Sequence, residues 1–507
     1  RKYREDKPFA LMAKNLEIVE KYCAISPEEE ELLSSFRAPI VLLRRREGAF
    51  PPIAENVAPK NKYLGFMLPY TPLHYLLFYN SPLQVLVMTS GNVSDEPIAY
   101  ENSEAIKRLS KIADYFLLHD RDIYIRSDDS VARIFPLTRE PYIIRRSRGY
   151  VPEPIRMPGL KISIPILACG GHSKNTFAIA SEDEIVLSHH IGDMENIETY
   201  NSFTEGIEHF KKLLQVQPRA IAHDLHPVYL STEYAKEVAR RDSQIELFPV
   251  QHHHAHIASV MADNGLENQK IIGVAFDGTG FGSDGNLWGG EFLVADYCKF
   301  ERVAHLKYIP LPGGEKAIKE PWRIAFAYLY ATFGEKFLSL KIDFVQKVRR
   351  SAPWKILKKM IDEGINTPLT SSMGRFFDAV SSLLSLRDRV NYEGQAAIEM
   401  EMIADLNETG RYDFNIHHED TEGTEMNDIL VIDPQMIFSS VIDDLKNNIP
   451  QSKIAGRFHN TIASIIRSGV EIISEETGIK RVVLSGGVFQ NMLLLEKSVS
   501  LLENEGF

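Results

Sequence analysis

The first third of the chain is a succession of short apolar runs, at residues 40–43, 85–88, 115–118 and 142–144, separated by polar turns. Runs of that length between turn-forming residues predict β-strands, and one or two helical stretches among them make this part α+β. The pattern breaks at residues 151–165, where Val151-Pro152-Glu153-Pro154 and Pro158-Gly159 interrupt any regular element. This places a domain boundary that gives domains at 1–157 and 158–507. Beyond it, strands and helices alternate as in α/β folds. No apolar run approaches the roughly 18 residues of a membrane helix, and Arg1-Lys2-Tyr3-Arg4-Glu5-Asp6-Lys7 carries no apolar signal segment. The chain is expected to be soluble.

Two later segments share one plan. Residues 166–179 read as strand, Gly170-Gly171 turn and strand. Residues 271–275, then Asp277-Gly278-Thr279-Gly280-Phe281-Gly282, then residues 289–294, repeat that order. A duplicated lobe opening with a glycine hairpin resembles actin and sugar-kinase folds, which cradle ATP phosphates, so Gly170, Gly171 and Gly280 are nucleotide-binding candidates. Near the end, Arg481-Val482-Val483-Leu484-Ser485-Gly486-Gly487-Val488 leads from an apolar strand toward a helix through a glycine pair. Such a turn lets backbone N–H groups approach phosphate or ribose.

The sharpest chemical signal is Gln251-His252-His253-His254-Ala255-His256, which concentrates four of the chain's 16 histidines. On a helix, His252 and His256 share a face one turn apart, the spacing with which two imidazoles grip one metal ion. The metalloprotease motif has Glu directly after the first His; here that place is taken by His253. The bland alternative is a surface histidine cluster without a ligand. Asp277, at a predicted strand end before a glycine turn, is the preferred carboxylate partner. It could instead cap its own turn, and Asp284 is a rival in the same loop. Two imidazoles and a carboxylate suit Fe, Zn or Mn and leave open positions for a substrate oxygen.

Charge separates the two parts. Residues 1–160 carry 23 basic and 21 acidic side chains, and the remainder carries 34 and 48. The acidic second part argues against a nucleic-acid partner. Cys23, Cys169 and Cys298 form no CxxC pair, which fits a reducing cytoplasm rather than a disulfide framework. In the first part, Lys2, Arg4 and Lys7 form K-x-R-x-x-K-P, and Arg145, Arg146 and Arg148 flank Ser147. Between them lie two small polar turns, Thr89-Ser90-Gly91-Asn92-Val93-Ser94 and Ser127-Asp128-Asp129-Ser130. Together these suggest an anion or nucleotide site, against the reading of each basic run as a solvated face.

In this order, K-x-R-x-x-K-P, T-S-G-N-x-S, D-D-S-V and R-R-S-R-G resemble a YrdC-type domain. From about residue 160 the chain resembles the TsaD and O-carbamoyltransferase group, which has a two-lobed actin-like fold. The fusion is similar to the HypF family, with Ala222-His223-Asp224-Leu225-His226-Pro227, Pro312-Gly313-Gly314, Ser372-Met373-Gly374-Arg375-Phe376-Phe377-Asp378-Ala379 and Tyr392-Glu393-Gly394-Gln395 adding to the match. The resemblance implies a carbamoyltransferase of [NiFe]-hydrogenase maturation. Carbamate, released from carbamoyl phosphate, would attack ATP, bound with Mg2+, to give carbamoyl adenylate and pyrophosphate. Lys2, Arg4, Lys7, Arg145 and Arg148 would offset charge while Ser90, Asn92 and Ser130 orient phosphates. A divalent metal on His252, His256 and Asp277 would polarise the carbamoyl oxygen, Gly486, Gly487 and Asn491 would lie near the nucleotide, and the C-terminal cysteine of HypE would accept the group.

The same resemblance implies a trimmed chain. The family's acylphosphatase-like domain, its four-pair CxxC module and a further C-terminal aspartate ligand have no counterpart here, so carbamoyl phosphate hydrolysis is not expected. Competing readings are threonylcarbamoyl transfer to tRNA, a metallopeptidase built on the paired histidines, and a non-enzymatic actin-like nucleotide-binding scaffold.

Overall fold

The computed structural model describes residues 6–93, 96–157, 161–351, 353–418 and 429–507. Internal contacts gather the chain into two compact units, Arg1–Val250 and Gln251–Phe507.

The first unit holds two sheets. One runs in the order Val85–Met88, Ala10–Ala13, Tyr63–Met67, Ile40–Arg45, Val131–Ile134 and Pro141–Arg145, with Cys23–Ala24 paired to Ile40–Arg45. Val41 and Leu43, and Leu64 and Phe66, alternate with less buried neighbours and so turn one apolar face into a common core. The helix Pro27–Ser34 beside it starts with proline in its first turn and a reciprocal Ser26–Glu29 capping box. The predicted strand at 115–118 does not form: these residues run as irregular chain, with Tyr115 92% and Leu117 73% exposed. Apolar composition does not make a strand where no neighbouring backbone offers a ladder of hydrogen bonds.

The second sheet of this unit and the sheet of the other unit repeat one topology. In the former, Ile162–Ala168, Ala178–Glu182 and Glu184–Leu187 form an antiparallel meander, and Ala220–Asp224 returns parallel to the first strand. In the latter, Ile271–Phe281, Leu287–Ala295 and Phe300–Leu306 form the meander and Val482–Ser485 returns parallel. The duplicated hairpin read from the sequence is thus a duplicated actin-like α/β lobe. Among the described residues, no helix is long and apolar enough to cross a membrane.

The helix Gln451–Thr477 carries a buried polar contact across the second unit. Its His459 accommodates two partners, Nδ1 lying 2.7 Å from the Ala455 carbonyl and Nε2 2.8 Å from Asn491 Nδ2. The pairing fits a neutral ring with the proton on Nδ1. Burial pushes His459 from its ordinary 6.5 to about 4, and His253 to about 3. Because the unfolded chain takes up these protons first, stability is complete above about pH 6.5 and is lost as the pH falls toward the folded values. Denaturation midpoints should therefore drop between about pH 7 and pH 5, and His459→Gln should remove on the order of 1–2 kcal/mol of that dependence. An unchanged slope in the variant would show that His459 does not contribute.

Candidate metal and nucleotide site

The helix His252–Asp263 begins at Gln251, whose side-chain oxygen caps the His254 N–H at 2.9 Å and whose amide nitrogen donates to the Phe281 carbonyl at 3.2 Å. That bond ties the start of the helix to the end of the strand Ile271–Phe281. One helical turn sets His252 and His256 on one face with ring centroids 4.8 Å apart. Asp277 reaches them from the strand, its Oδ2 lying 3.4 Å from His252 Nε2 and 3.6 Å from His256 Nε2. Its Oδ1 accepts the Gly487 N–H at 3.1 Å.

These spacings fit a shared ion. Ligand atoms about 2.0–2.1 Å from a tetrahedral metal stand about 3.4 Å from one another, and the three donor atoms here all lie within 4.8 Å of one another. His256 Nε2 is buried without a hydrogen-bond partner, as a ligand nitrogen would be. Burial alone would raise the Asp277 pKa, but the facing imidazoles of His252 and His256 hold it well below the usual carboxylate range. A carboxylate facing two imidazoles is a donor set for Fe, Zn or Mn.

The other two histidines of the cluster face elsewhere. His253 is fully buried, with Nδ1 3.1 Å from Gln251 Nε2 and its ring 5.9 Å from that of Trp288. His254 Nε2 sits 2.7 Å from the Asp296 carbonyl. The rival carboxylate Asp284 is occupied by residues outside its loop: it accepts from Trp288 Nε1 at 2.9 Å and Tyr308 Oη at 2.5 Å and pairs with Arg302 at 3.5 Å. Gly280 leaves the space in which the imidazoles sit, since a Cβ there would lie 2.5 Å from His253 Cε1 and 2.8 Å from His252 Cδ2. Gly486 has φ +100 and packs so closely on Phe276 that a Cβ would lie 2.2 Å from its carbonyl oxygen. This brings the Gly487 N–H to Asp277. Asn491 turns inward, capping the helix Met492–Asn504 through Leu494 N–H at 3.0 Å.

In the first unit, Gly170 has φ +68 in the hairpin turn, and the carbonyl of Gly171 accepts from Asn175 Nδ2 at 2.6 Å. Lys2 and Arg4 lie outside the described residues. Lys7 is exposed. Arg145 stands 3.9 Å from Asp128. Burial first, then the positive charges of Arg145, Lys174, His189 and Lys7, push His190 down to about 3, so cations gather at this corner. Arg148 is a brace: its Nε bonds Asp129 at 2.9 Å, its Nη2 the Ala38 carbonyl at 2.7 Å, and its guanidinium lies 3.5 Å from the centre of the Tyr70 ring. Ser130 is fully buried and links the Ser147 N–H to the Arg148 carbonyl, both at 2.8 Å. Ser90 Oγ donates to Asn92 Oδ1 at 2.8 Å, and Asn92 Nδ2 to the Glu96 carbonyl at 2.7 Å, so this pair shapes its turn.

Residues 273–507 match the family described as "Carbamoyltransferase, Kae1-like Domain, second subdomain", residues 161–263 the "HypF Kae1-like domain", and residues 1–147 the Sua5, YciO and YrdC family described as "Telomere recombination". A crystal structure of full-length HypF in a phosphate- and nucleotide-bound form superposes with TM-score 0.92 at 46% identity, covering 100% of this chain and 76% of that one. This chain belongs to the HypF family. The HypF structure from T. kodakarensis gives TM-score 0.87 at 36% identity, over 99% of this chain and 65% of that one. Carbamoyltransferase HypF of Synechocystis is 40% identical over 100% of this chain. The chain spans 64% of that relative's length.

Two serines that the sequence did not single out support the site. Ser372 Oγ donates to the Asp277 and Gly278 carbonyls, at 2.8 and 2.6 Å, and Ser485 Oγ to the His256 carbonyl at 2.9 Å. Both serines lie far along the chain from their partners; the signal for Ser372 was its place at the head of the S-M-G-R-F-F-D motif. Gly280→Ala should lower metal affinity about tenfold or more by displacing His252, while Asp284→Asn should leave metal content unchanged and lower the melting temperature. Metal analysis and thermal melts of the two variants check both; loss of metal in Asp284→Asn would reassign the carboxylate ligand.

Proposed function

We propose that this chain is a carbamoyltransferase of [NiFe]-hydrogenase maturation. The observation that carries the reading is the convergence of His252, His256 and Asp277 in a chain that joins a YrdC-like region to HypF-type lobes. In the first region, carbamate attacks the α-phosphorus of ATP, giving carbamoyl adenylate and pyrophosphate. Lys2, Arg4, Lys7 and Arg145 offset the charge that accumulates on the phosphates. Arg148 and Ser130 hold the wall of that site, and Ser90 and Asn92 present polar groups at its turn.

In the second unit, His252, His256 and Asp277 would hold a divalent metal, which would supply Lewis acidity. Asp277 keeps its charge there because two imidazoles face it. Gly486 and Gly487 bring backbone against the nucleotide. The acceptor is a thiolate, the C-terminal cysteine of HypE: its sulfur bonds the carbamoyl carbon, the bond to the adenylate oxygen breaks, and AMP leaves. Carbamoyl adenylate is labile in water, so a shielded route to the acceptor protects it.

Incubation of the protein with ATP, Mg2+ and either carbamoyl phosphate, carbamate supplied as ammonium bicarbonate, or threonine plus bicarbonate tests the reading. AMP and pyrophosphate formed with carbamate, and S-carbamoylation of a peptide ending in cysteine, are expected by mass spectrometry, with carbamoyl phosphate inactive until a phosphatase releases carbamate from it. Turnover with threonine alone would move the protein to tRNA modification, and no turnover with any donor would contradict the enzymatic reading. His252→Ala should lose transfer to the peptide while keeping adenylate formation.

A further inference from the structure

Arg375 stands in the first turn of the helix Met373–Leu383 and is 5% exposed. Its Nη2 lies 3.0 Å from Asp378 Oδ2, yet its Nε and Nη1 are buried and make no hydrogen bond. A guanidinium carries five N–H donors, and leaving buried donors unused is costly unless a ligand takes them.

The surroundings of this arginine fit an anion. Ser372 caps the helix and anchors its start to the turn that follows Asp277, accepting the Arg375 N–H at 3.1 Å while donating to the Asp277 and Gly278 carbonyls. Arg375 thereby belongs to the first turn of a helix whose start is fixed against the turn after Asp277. On the side-chain side of Gly278, a Cβ would meet only Arg375 Nη2, at 3.6 Å. Gly278 is itself partly exposed and one residue from Asp277, and its bare face lies against Nη2, the guanidinium nitrogen that also pairs with Asp378.

We propose that Arg375 is an oxyanion-binding residue that takes a phosphate oxygen of the nucleotide through the notch at Gly278. The ligand is a nucleoside phosphate rather than a nucleoside, and Asp378 is the counter-charge that orients the guanidinium. The inference rests on the reading of the second unit as a nucleotide site.

Crystals of the whole chain grown with AMP test it directly. The expected result is a phosphate oxygen within hydrogen-bonding distance of Arg375, with the adenosine near Gly486 and Gly487. AMP bound in this unit with its phosphate elsewhere would overturn the role of Arg375 and leave the nucleotide reading standing; AMP absent from the unit at saturating concentration would overturn both. In solution, Arg375→Gln should weaken AMP binding at this unit about tenfold or more and change adenosine binding little. Equal losses for AMP and adenosine would mark Arg375 as a structural residue and overturn the proposal. Arg375→Lys, which keeps the charge and loses the fork, should bind AMP with intermediate affinity and replaces the glutamine variant if that one unfolds.

Discussion

The second unit is organised around a half-buried carboxylate facing two imidazoles. Asp277 follows the buried residues 271–276 of its strand, and its Oδ2 stands 3.4 and 3.6 Å from His252 and His256. Burying that charge is expensive unless it is compensated. The structure compensates it from both ends, with imidazoles at one oxygen and the Gly487 N–H at the other. Strand, helix and C-terminal turn are therefore coupled through one side chain.

A second buried network stiffens the hairpin on which Asp277 sits. Glu291 is fully buried, accepts the N–H groups of Gly289 and Gly290 at 3.0 and 3.1 Å, and pairs with Arg302 Nε at 2.6 Å. Arg302 lies 4.1 Å from the Trp288 ring centre, and Trp288 in turn donates to Asp284. The hairpin is held by interactions that converge on its own loop, which leaves Asp277 free to serve the site. In the first unit Arg148 and Ser130 act as braces, and Arg145 and Lys7 lie near enough to His190 to help lower its pKa.

The sequence was most legible where a short-range rule decided the geometry. The four-residue spacing of His252 and His256 needs only a helix, and glycine-rich hairpins bounded by apolar runs announced the repeated lobe. It was least legible where a side chain's partner lies far away in the chain. Nothing local distinguishes Asp277 from Asp284, since each precedes a glycine; the choice is made by Arg302 on the strand Phe300–Leu306 and by Tyr308 just beyond it, which occupy Asp284. Arg375 was visible as a charged residue inside an apolar motif, but its unused donors emerge only when the helix start meets Gly278. The apolar run at 115–118 misled for the converse reason, because pairing partners, not composition, make a strand.

The account stands or falls on what His252, His256 and Asp277 hold. X-ray absorption of the metal-loaded protein measures that shell directly. The account predicts two imidazole nitrogens at about 2.0–2.1 Å together with oxygen ligands, and no sulfur. An all-oxygen shell, a sulfur ligand, or a shell unaltered by Asp277→Asn and His256→Ala together would contradict it.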